Sequence, residues 1–494
     1  MCGRAPSGLW SRPMNGSFDV VVVGAGIAGL SAAVSALEAG ASVAVLERAA
    51  REERGGNTRY TESFWRMRDH DTVAHDFDER LAGNAGGHFD PEFVKDAGRP
   101  YEDWPRPLRA FGFTDPELIR VWADDAGPAL RWLEGFGVRW DFLPTYFPYQ
   151  STTRIAPVGG GLALVEALAA EAERLSASIY YETAARGLVR SDEGEIVGVE
   201  AVQRGRLCHF VGRVVLASGG FEGNPEMLAR YIGPKAQWTR PVARGGYYNR
   251  GEGVAMGLAA GAAPAGEFGA FHAQPVDPRS GAIEPVVLHY GYGVLVNREG
   301  ARFTDEAARP VDAGYERVAR AVLEQPEGLA WAVFDAGLDD APHWRVTVRS
   351  DREPLEAPTV EALAGAAGLD PAALAATLAA YNAACPEDTS AFRPDGLDGL
   401  STRGLRPAKS NWARPLLRPP FRAWPVICAN CFTFGGLRID ANGRVIDLDG
   451  DPIQGLYAAG ETAGLFYGDY TGATSVMRGA VFGRRAGRHA AGAQ

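Results

Sequence analysis

Residues 18–47 read Phe18-Asp-Val-Val-Val-Val-Gly24-Ala-Gly26-Ile-Ala28-Gly29-Leu30, then an alanine-rich run to Ala39-Gly40, then Ala41-Ser-Val-Ala-Val-Leu46-Glu47. Val20 to Val23 is a continuous apolar run, the pattern of a parallel strand buried on both faces. Gly24, Gly26 and Gly29 follow at GxGxxG spacing. The first glycine suits a tight turn, the second lets backbone approach a pyrophosphate, and the third lets helix and strand pack closely. The spacing predicts a helix from Leu30 to Ala39, ended by Gly40, whose N-terminal N–H groups and dipole favour phosphate. Val43 to Leu46 reads as the second strand. Glu47 stands 18 residues after Gly29, where an acid bonds the ribose of an adenine dinucleotide. Strand, glycines, helix, strand and acid come in order, so the stretch reads as a dinucleotide site. It does not choose between FAD and NAD.

Outward from that stretch, 494 residues allow one to three domains and a large core. Hydrophobic and charged fractions of 46% and 22% are ordinary for a globular protein. The formal net charge of -11, with no basic block, argues against nucleic-acid partners and a polybasic membrane anchor. No apolar run is long enough to span a bilayer. Met1 to Pro13 lacks the apolar core of a signal peptide. It reads as a loose arm or as residues upstream of an alternative start at Met14. Cys2, Cys208, Cys385, Cys428 and Cys431 make an odd count, unlike a secreted disulfide framework. The cytoplasm is therefore the expected compartment. Cys428-Ala-Asn-Cys431 has CxxC spacing, but one pair makes a poor metal site, and two buried residues compete with a redox pair. No metal centre is expected.

Gly55-Gly56-Asn57-Thr58 can bring backbone N–H groups against an anionic or planar ligand. Residues 62 to about 150 read as a mostly helical insertion. Asp115-Pro116 caps a helix running to Phe136. Gly159-Gly160-Gly161 opens another helix, Leu162 to Leu175, followed by short strands at 178–182, 187–190 and 196–202. Arg213 to Ala217 is a buried strand ending in Ser218-Gly219-Gly220-Phe221. Residues 272–422 read as a second domain inserted into the first. Within it, Val294 to Glu306 reads as two strands around an Asn-Arg-Glu-Gly turn. The first domain then resumes at 423–494, with Leu456 to Ala459 leading into Gly460-Glu461 and a last helix from Ser475 to Ala490.

The order Gly24-x-Gly26-x-x-Gly29, Glu47, Gly55-Gly56-Asn57-Thr58, Ser218-Gly219-Gly220-Phe221, Val296-Asn297 with Gly300-x-Arg302-Phe303, Phe434-Gly435-Gly436 and Gly460-Glu461 resembles the fumarate reductase and succinate dehydrogenase flavoproteins. The resemblance covers nearly the whole chain. It implies a Rossmann-type FAD-binding domain in two parts, 15–271 and 423–494, with an inserted α+β capping domain, an α/β fold that is α+β overall. Asn57 to Glu62, and Gly464 to Tyr470 with Gly479 to Gly487, are similar to tricarballylate dehydrogenase; the Tyr470 region is also similar to 3-ketosteroid Δ1-dehydrogenases. Departures are as telling. Cys431-Phe432-Thr433-Phe434-Gly435-Gly436 replaces the His-His-Thr-Met-Gly-Gly of fumarate reductases, and Asp469-Tyr470-Thr471-Gly472 stands where they carry Ala-Asn-Arg-Leu. Phe334 to Leu338 offers no catalytic arginine in register. Arg59 and Tyr60 follow Thr58 where succinate dehydrogenase has its flavin-linking histidine, so FAD is expected to be non-covalent.

By motif and resemblance, the cofactor contacts are Gly24, Gly26, Ala28, Gly29, Glu47, Arg48, Gly55, Gly56, Asn57, Thr58, Gly219, Gly220, Gly460, Glu461 (toward the ribityl chain), Thr474, Ser475 and Val476. Oxidising a C–C bond needs a hydride acceptor, the flavin N5, a base for the neighbouring proton and donors for charge on an activating carbonyl. Tyr470 is the first candidate for the proton or polarising role, against the reading of a core tyrosine. Arg309 and His272 follow by resemblance, against a surface ion pair and a structural histidine. Arg59, Tyr60, Arg66 and Tyr470 are the substrate-binding candidates, with Arg68 in the same basic group. The reading is an FAD-dependent dehydrogenase or desaturase acting on a CH–CH bond beside a carboxylate or carbonyl of a small acid or ketone. The electron acceptor, whether quinone, oxygen or a redox protein, is left open. The alternatives are a reductase of an activated alkene, a flavin-carrying electron-transfer subunit, and a flavin-binding protein without turnover.

Overall fold

The structure is a computed structural model that describes residues 14–84, 89–142, 144, 147, 152–341 and 344–493. The arm expected at residues 1–13 and parts of the insertion near 143–151 lie outside the described residues.

The first domain is built on an eight-stranded sheet. Its elements open with β1 (Met14–Val23), α1 (Ile27–Glu38) and β2 (Val43–Leu46). All four residues of β2, and Val20 to Val23 of β1, are buried. The insertion is helical as its spacing predicts, with α2 (Pro116–Glu134) capped by the Asp115 carboxylate, which accepts from the Glu117 and Leu118 amides. Next come α3 (Gly160–Arg174), β3 (Ser178–Tyr180), β4 (Thr183–Arg190), β5 (Ile196–Gln203) and β6 (Arg206–Leu216).

The chain then crosses into a second, six-stranded sheet. Its elements are β7 (Phe271–Val276), β8 (Val294–Asn297), α4 (Val311–Leu323), β9 (Leu329–Phe334), β10 (Leu355–Ala357) and β11 (Phe421–Thr433). Finally β12 (Arg444–Ile446), β13 (Pro452–Ala458) and α5 (Ser475–Ala490) return to the first sheet.

The first sheet runs β12-β13-β6-β1-β2-β3, with β4 and β5 as an antiparallel hairpin on β6. Strands β13, β6, β1, β2 and β3 are mutually parallel. α1 packs against α5, and the two backbones nearly touch. A Cβ at Gly483 would lie 2.4 Å from the Ala28 carbonyl oxygen, and one at Gly487 would lie 2.1 Å from that of Ala32. Only glycine permits that approach.

The second sheet runs β7-β11-β9-β8, with β10 and Arg240-Pro241 also on β11. Two differences from the sequence reading stand out. The boundary at 422/423 falls inside β11, which pairs along its whole length in the second sheet. The chain leaves that sheet only after Thr433. Residues 294–306 form one strand rather than two. Only a single bridge, Val296 to Arg302, follows the turn, and the Leu295 amide donates to the Glu306 carboxylate at 2.9 Å instead of to a second strand.

Candidate active site

A main cleft opens where the carboxyl ends of β1, β2 and β6 face the second sheet. This is the place where open parallel sheets bind ligands. The glycine loop forms its floor. A Cβ at Gly29 would sit 1.9 Å from the Gly24 carbonyl oxygen, whereas one at Gly26 would meet nothing closer than 3.5 Å. Gly29 is thus filled by packing, and Gly26 leaves room for a phosphate. Glu47 is buried and doubly held, Oε2 accepting from the Ala25 amide at 2.9 Å and Oε1 from the Ala49 amide at 2.8 Å. Burial raises its carboxyl above the usual range despite those bonds.

Gly24, Gly26, Ala28, Glu47, Arg48, Gly55, Gly56, Asn57, Thr58, Gly219, Gly460, Glu461, Ser475 and Val476 all line the cleft. Gly29, Gly220 and Thr474 do not. Gly220 packs against Thr433 and Glu461, and the Thr474 amide is taken up by Tyr470.

Asn57 ties the two domains together. Its Nδ2 donates to Glu222 Oε1 at 2.6 Å and to the Cys431 carbonyl in β11 at 2.9 Å. Glu222 and Glu461 form a buried carboxyl pair. Asn249 Nδ2 donates to Glu222 Oε1 at 2.5 Å, and the Thr433 amide donates to Glu461 Oε1 at 2.7 Å. Burial, then the Glu461 charge, pushes the Glu222 carboxyl well above its ordinary range, and burial also raises Glu461. Two carboxylates in a dry site share a proton in this way.

The far end of the cleft is aromatic and charged. The Tyr470 ring lies 4.3 Å from His272, 5.1 Å from Phe432 and 5.3 Å from Phe466. Its oxygen accepts from the Thr474 and Ser475 amides at 2.9 and 3.0 Å, at the start of α5, and its hydroxyl donates to Ser475 Oγ at 3.1 Å. His272 Nδ1 lies 3.3 Å from Glu316 Oε2, and its Nε2 lies 3.4 Å from the Tyr315 hydroxyl. Glu316 is itself held by Arg320 at 2.6 Å. A carboxylate on one imidazole nitrogen orients the ring and leaves the other nitrogen toward the cleft.

Two buried guanidiniums complete this end. Arg154 pairs with Asp312 at 3.1 Å and lies over the Phe147 ring. Arg478 lies over the rings of Phe466 and Phe432, and burial lowers it to about 10. The Nε of each has no hydrogen-bond partner among the described residues.

Of the sequence candidates, Tyr470, His272 and Tyr60 line this cleft together. Arg309 is exposed and lines a second, smaller cavity. Arg66 also lines that smaller cavity, with its guanidinium spent on Asp76 at 2.5 Å and on the Gly472 carbonyl. Arg59 pairs with Glu166 at 3.3 Å, and Arg68 with Asp69 at 3.2 Å. The CxxC pair is split across the sheet. Three residues apart on one strand, they face opposite sides: Cys431 lines the cleft beside Phe432, while Cys428 packs in the opposite cluster with Phe271 and Ala273. Burial raises both thiols, which suits structural rather than redox cysteines.

Arg154, Glu222, Glu284 and Arg478 were missed as site residues. For Arg478 there was a signal, a charge inside the apolar run Val476-Met-Arg-Gly-Ala-Val-Phe482. For Arg154 there was none.

The open approach at Gly26, the amides at the start of α1 and the fixed Glu47 suit an adenine dinucleotide, and the cleft continues past them to the aromatic end. Residues 19–476 match the family model described as FAD binding domain. The chain is 28% identical to NADH:acrylate oxidoreductase of Vibrio harveyi, covering 99% of this chain and 52% of that protein, so it spans about half the length of that relative. Its fold superposes on the open conformation of a flavocytochrome c3 fumarate reductase with a TM-score of 0.72 at 25% identity, covering 98% of this chain and 79% of the other. It superposes on 3-ketosteroid-Δ4-(5α)-dehydrogenase from Rhodococcus jostii RHA1 with a TM-score of 0.69 at 26% identity, covering 99% and 100% of the two chains. This chain therefore belongs to the FAD binding domain family, with the α/β flavoprotein fold of fumarate reductases and ketosteroid dehydrogenases.

Proposed function

We propose that the protein is an FAD-dependent dehydrogenase that desaturates a CH–CH bond beside the carboxylate or carbonyl of a small organic substrate. The observation that carries this reading is the far end of the cleft, where Tyr470, His272 and Arg154 meet. Bound FAD supplies the two-electron chemistry by accepting a hydride from the substrate carbon. Gly26, Glu47, Thr58, Gly460 and Ser475 would hold it, non-covalently, since Arg59 and Tyr60 follow Thr58.

Arg154 anchors the activating carboxylate with its buried guanidinium. With substrate bound, the Tyr470 hydroxyl turns its one proton from Ser475 Oγ to the carbonyl or carboxylate oxygen. Two amides donating to the phenolic oxygen polarise its O–H bond, and the start of α5 favours negative charge there. His272 takes the proton from the neighbouring carbon, and Glu316 steadies the imidazolium. Phe432, Phe466 and Phe147 keep water from the reacting carbon.

The Phe334 to Leu338 segment carries no arginine to protonate an alkene carbon, so in either direction the proton passes through His272. Asp335 there caps its own turn, accepting from the Gly337, Leu417 and Arg418 amides. The relatives named as reductases favour the reverse direction, so direction is the first thing to measure. The cytoplasm is the proposed compartment, supported by buried free thiols at Cys208, Cys428 and Cys431. No described helix is long and apolar enough to cross a membrane.

The experiment follows the flavin spectrum of the purified holoenzyme anaerobically. Saturated acids and ketones are added to the oxidised form, and their unsaturated counterparts to the chemically reduced form. Bleaching by a saturated compound is the expected result. Reoxidation by unsaturated compounds without any such bleaching makes the protein a reductase.

A further inference from the structure

The cap wall of the cleft carries hydrogen-bond acceptors that the proposed reaction does not use. Gln274 lies two residues beyond His272 on β7, so both side chains share one face, about 7 Å apart. Both line the cleft, and the bulge in this pairing lies on β11, which leaves β7 regular. Gln274 is buried, and its Oε1 has no partner among the described residues.

Glu284 is also buried and lines the cleft, on the loop that follows β7. The Val276–Val286 bridge closes the loop that presents it. Its φ of 46° is a left-handed conformation that a non-glycine side chain adopts at a cost, and such outliers cluster where a ligand is gripped. One guanidinium, Arg349, serves two carboxylates here, Glu62 at 2.7 Å and Glu284 at 3.5 Å. The corner is therefore rich in acceptors and net negative, opposite in character to the Arg154 end. Burial raises the Glu284 carboxyl to about 7, as for a charge that awaits a partner.

We propose that Glu284 and Gln274 read an N–H or O–H donor on the substrate, within about 7 Å of its reacting carbon. The inference rests on the dehydrogenase reading and narrows its substrate class. The substrate is an acid or ketone with a hydroxyl, amine, amide or ring N–H at its far end. An alkyl group placed there strips water from two acceptors and returns nothing, and sites built this way reject analogues lacking the donor strongly.

The test is isothermal titration calorimetry on the oxidised holoenzyme with matched pairs. These are 6-hydroxyhexanoate against heptanoate, and 3-(imidazol-4-yl)propionate against 3-cyclopentylpropionate. We expect the donor-bearing member of at least one pair to bind about tenfold tighter or more. Glu284→Met and, independently, Gln274→Met should each cut that preference several-fold, weakening the donor-bearing member and tightening the apolar one, because the acceptor it would leave dry is gone. Two variants keep the test open if one fails to fold. Acid binding with no donor preference, or a preference untouched by both variants, overturns this inference and leaves the dehydrogenase reading standing. If no acid binds and no saturated compound bleaches the flavin, the dehydrogenase reading fails and this inference falls with it.

Discussion

Replacing Tyr470 by phenylalanine separates two roles that its position combines. The ring contacts to His272, Phe432 and Phe466 survive the change. What is lost is one oxygen and three hydrogen bonds, at 2.9, 3.0 and 3.1 Å. Two of them satisfy amides at the start of α5. Tyr470 is only half-buried, so water can reach part of the vacated site, and each amide costs roughly 1 kcal/mol, about 2 kcal/mol in all. Against a total stability of about 5–15 kcal/mol, the folded state still dominates. A positioned proton donor contributes far more to a rate, typically about 10²–10⁴-fold, or roughly 3–5 kcal/mol of barrier. Tyr470→Phe should therefore lower the melting temperature by a few degrees and slow flavin bleaching by the cognate saturated substrate at least ~100-fold. Anaerobic stopped-flow measures the rate, and thermal unfolding of the holoenzyme measures the stability. A bleaching rate within threefold of wild type, beside the expected loss of stability, would show that the hydroxyl only caps the helix, and would remove Tyr470 from the mechanism.

Two further outcomes are expected. Arg154→Met should abolish acid binding and destabilise the fold by about 3–5 kcal/mol, because Asp312 loses its buried counter-charge. The double variant Arg154→Met/Asp312→Leu should recover much of the stability but none of the acid binding, as read by chemical denaturation and calorimetry. His289→Phe should leave turnover unchanged and raise stability. The wild-type imidazole is fully buried, stacked 4.3 Å from Phe334, with neither ring nitrogen partnered among the described residues. Burial holds it down to about 3, against 6.5 when free. The unfolded chain therefore binds the extra proton between those values, and wild-type stability falls as pH drops through that window, by up to about 5 kcal/mol. A denaturation series from pH 7 to pH 4 should show a shallower acid loss in the variant, and an unchanged slope would refute the assignment.

The dinucleotide half of the site was legible because it is local. Strand, glycine turn, helix and acid occupy residues 18–47, and their spacing is dictated by one parallel β-α-β unit. The proposed substrate half is assembled across the chain. Arg154 comes from the insertion, His272 from β7, Glu316 from α4, Phe432 from β11 and Arg478 from α5. Nothing in the order of residues announces that they meet. The arginines near the motif misled for a related reason. Arg59 and Arg66 lie close to the cleft in sequence, yet Glu166 and Asp76 claim them first. An arginine's role is set by the nearest unpaired carboxylate in space, which sequence proximity does not reveal. The CxxC spacing makes no redox pair on β11 because residues three apart on a strand point to opposite faces, which leaves the reading of two buried cysteines.

The same non-local assembly accounts for Arg478, a guanidinium buried with no carboxylate in direct contact among the described residues. Its charge faces Glu461, which shares a dry pocket with Glu222. Burial and the neighbouring charge push Glu222 up, burial raises Glu461 as well, and the pair shares one proton. One proton and one guanidinium then leave the cluster neutral overall, which is how three ionisable groups can be buried together at tolerable cost. Six separate stretches build this cluster: Asn57, Glu222, Asn249, Thr433, Glu461 and Arg478. Two of them, Asn57 and Thr433, reach into the second sheet through the Cys431 carbonyl and β11 itself. The hydrogen bonds that converge on the Glu222–Glu461 pair therefore tie the cap sheet to the flavin-binding sheet beside the cofactor loop.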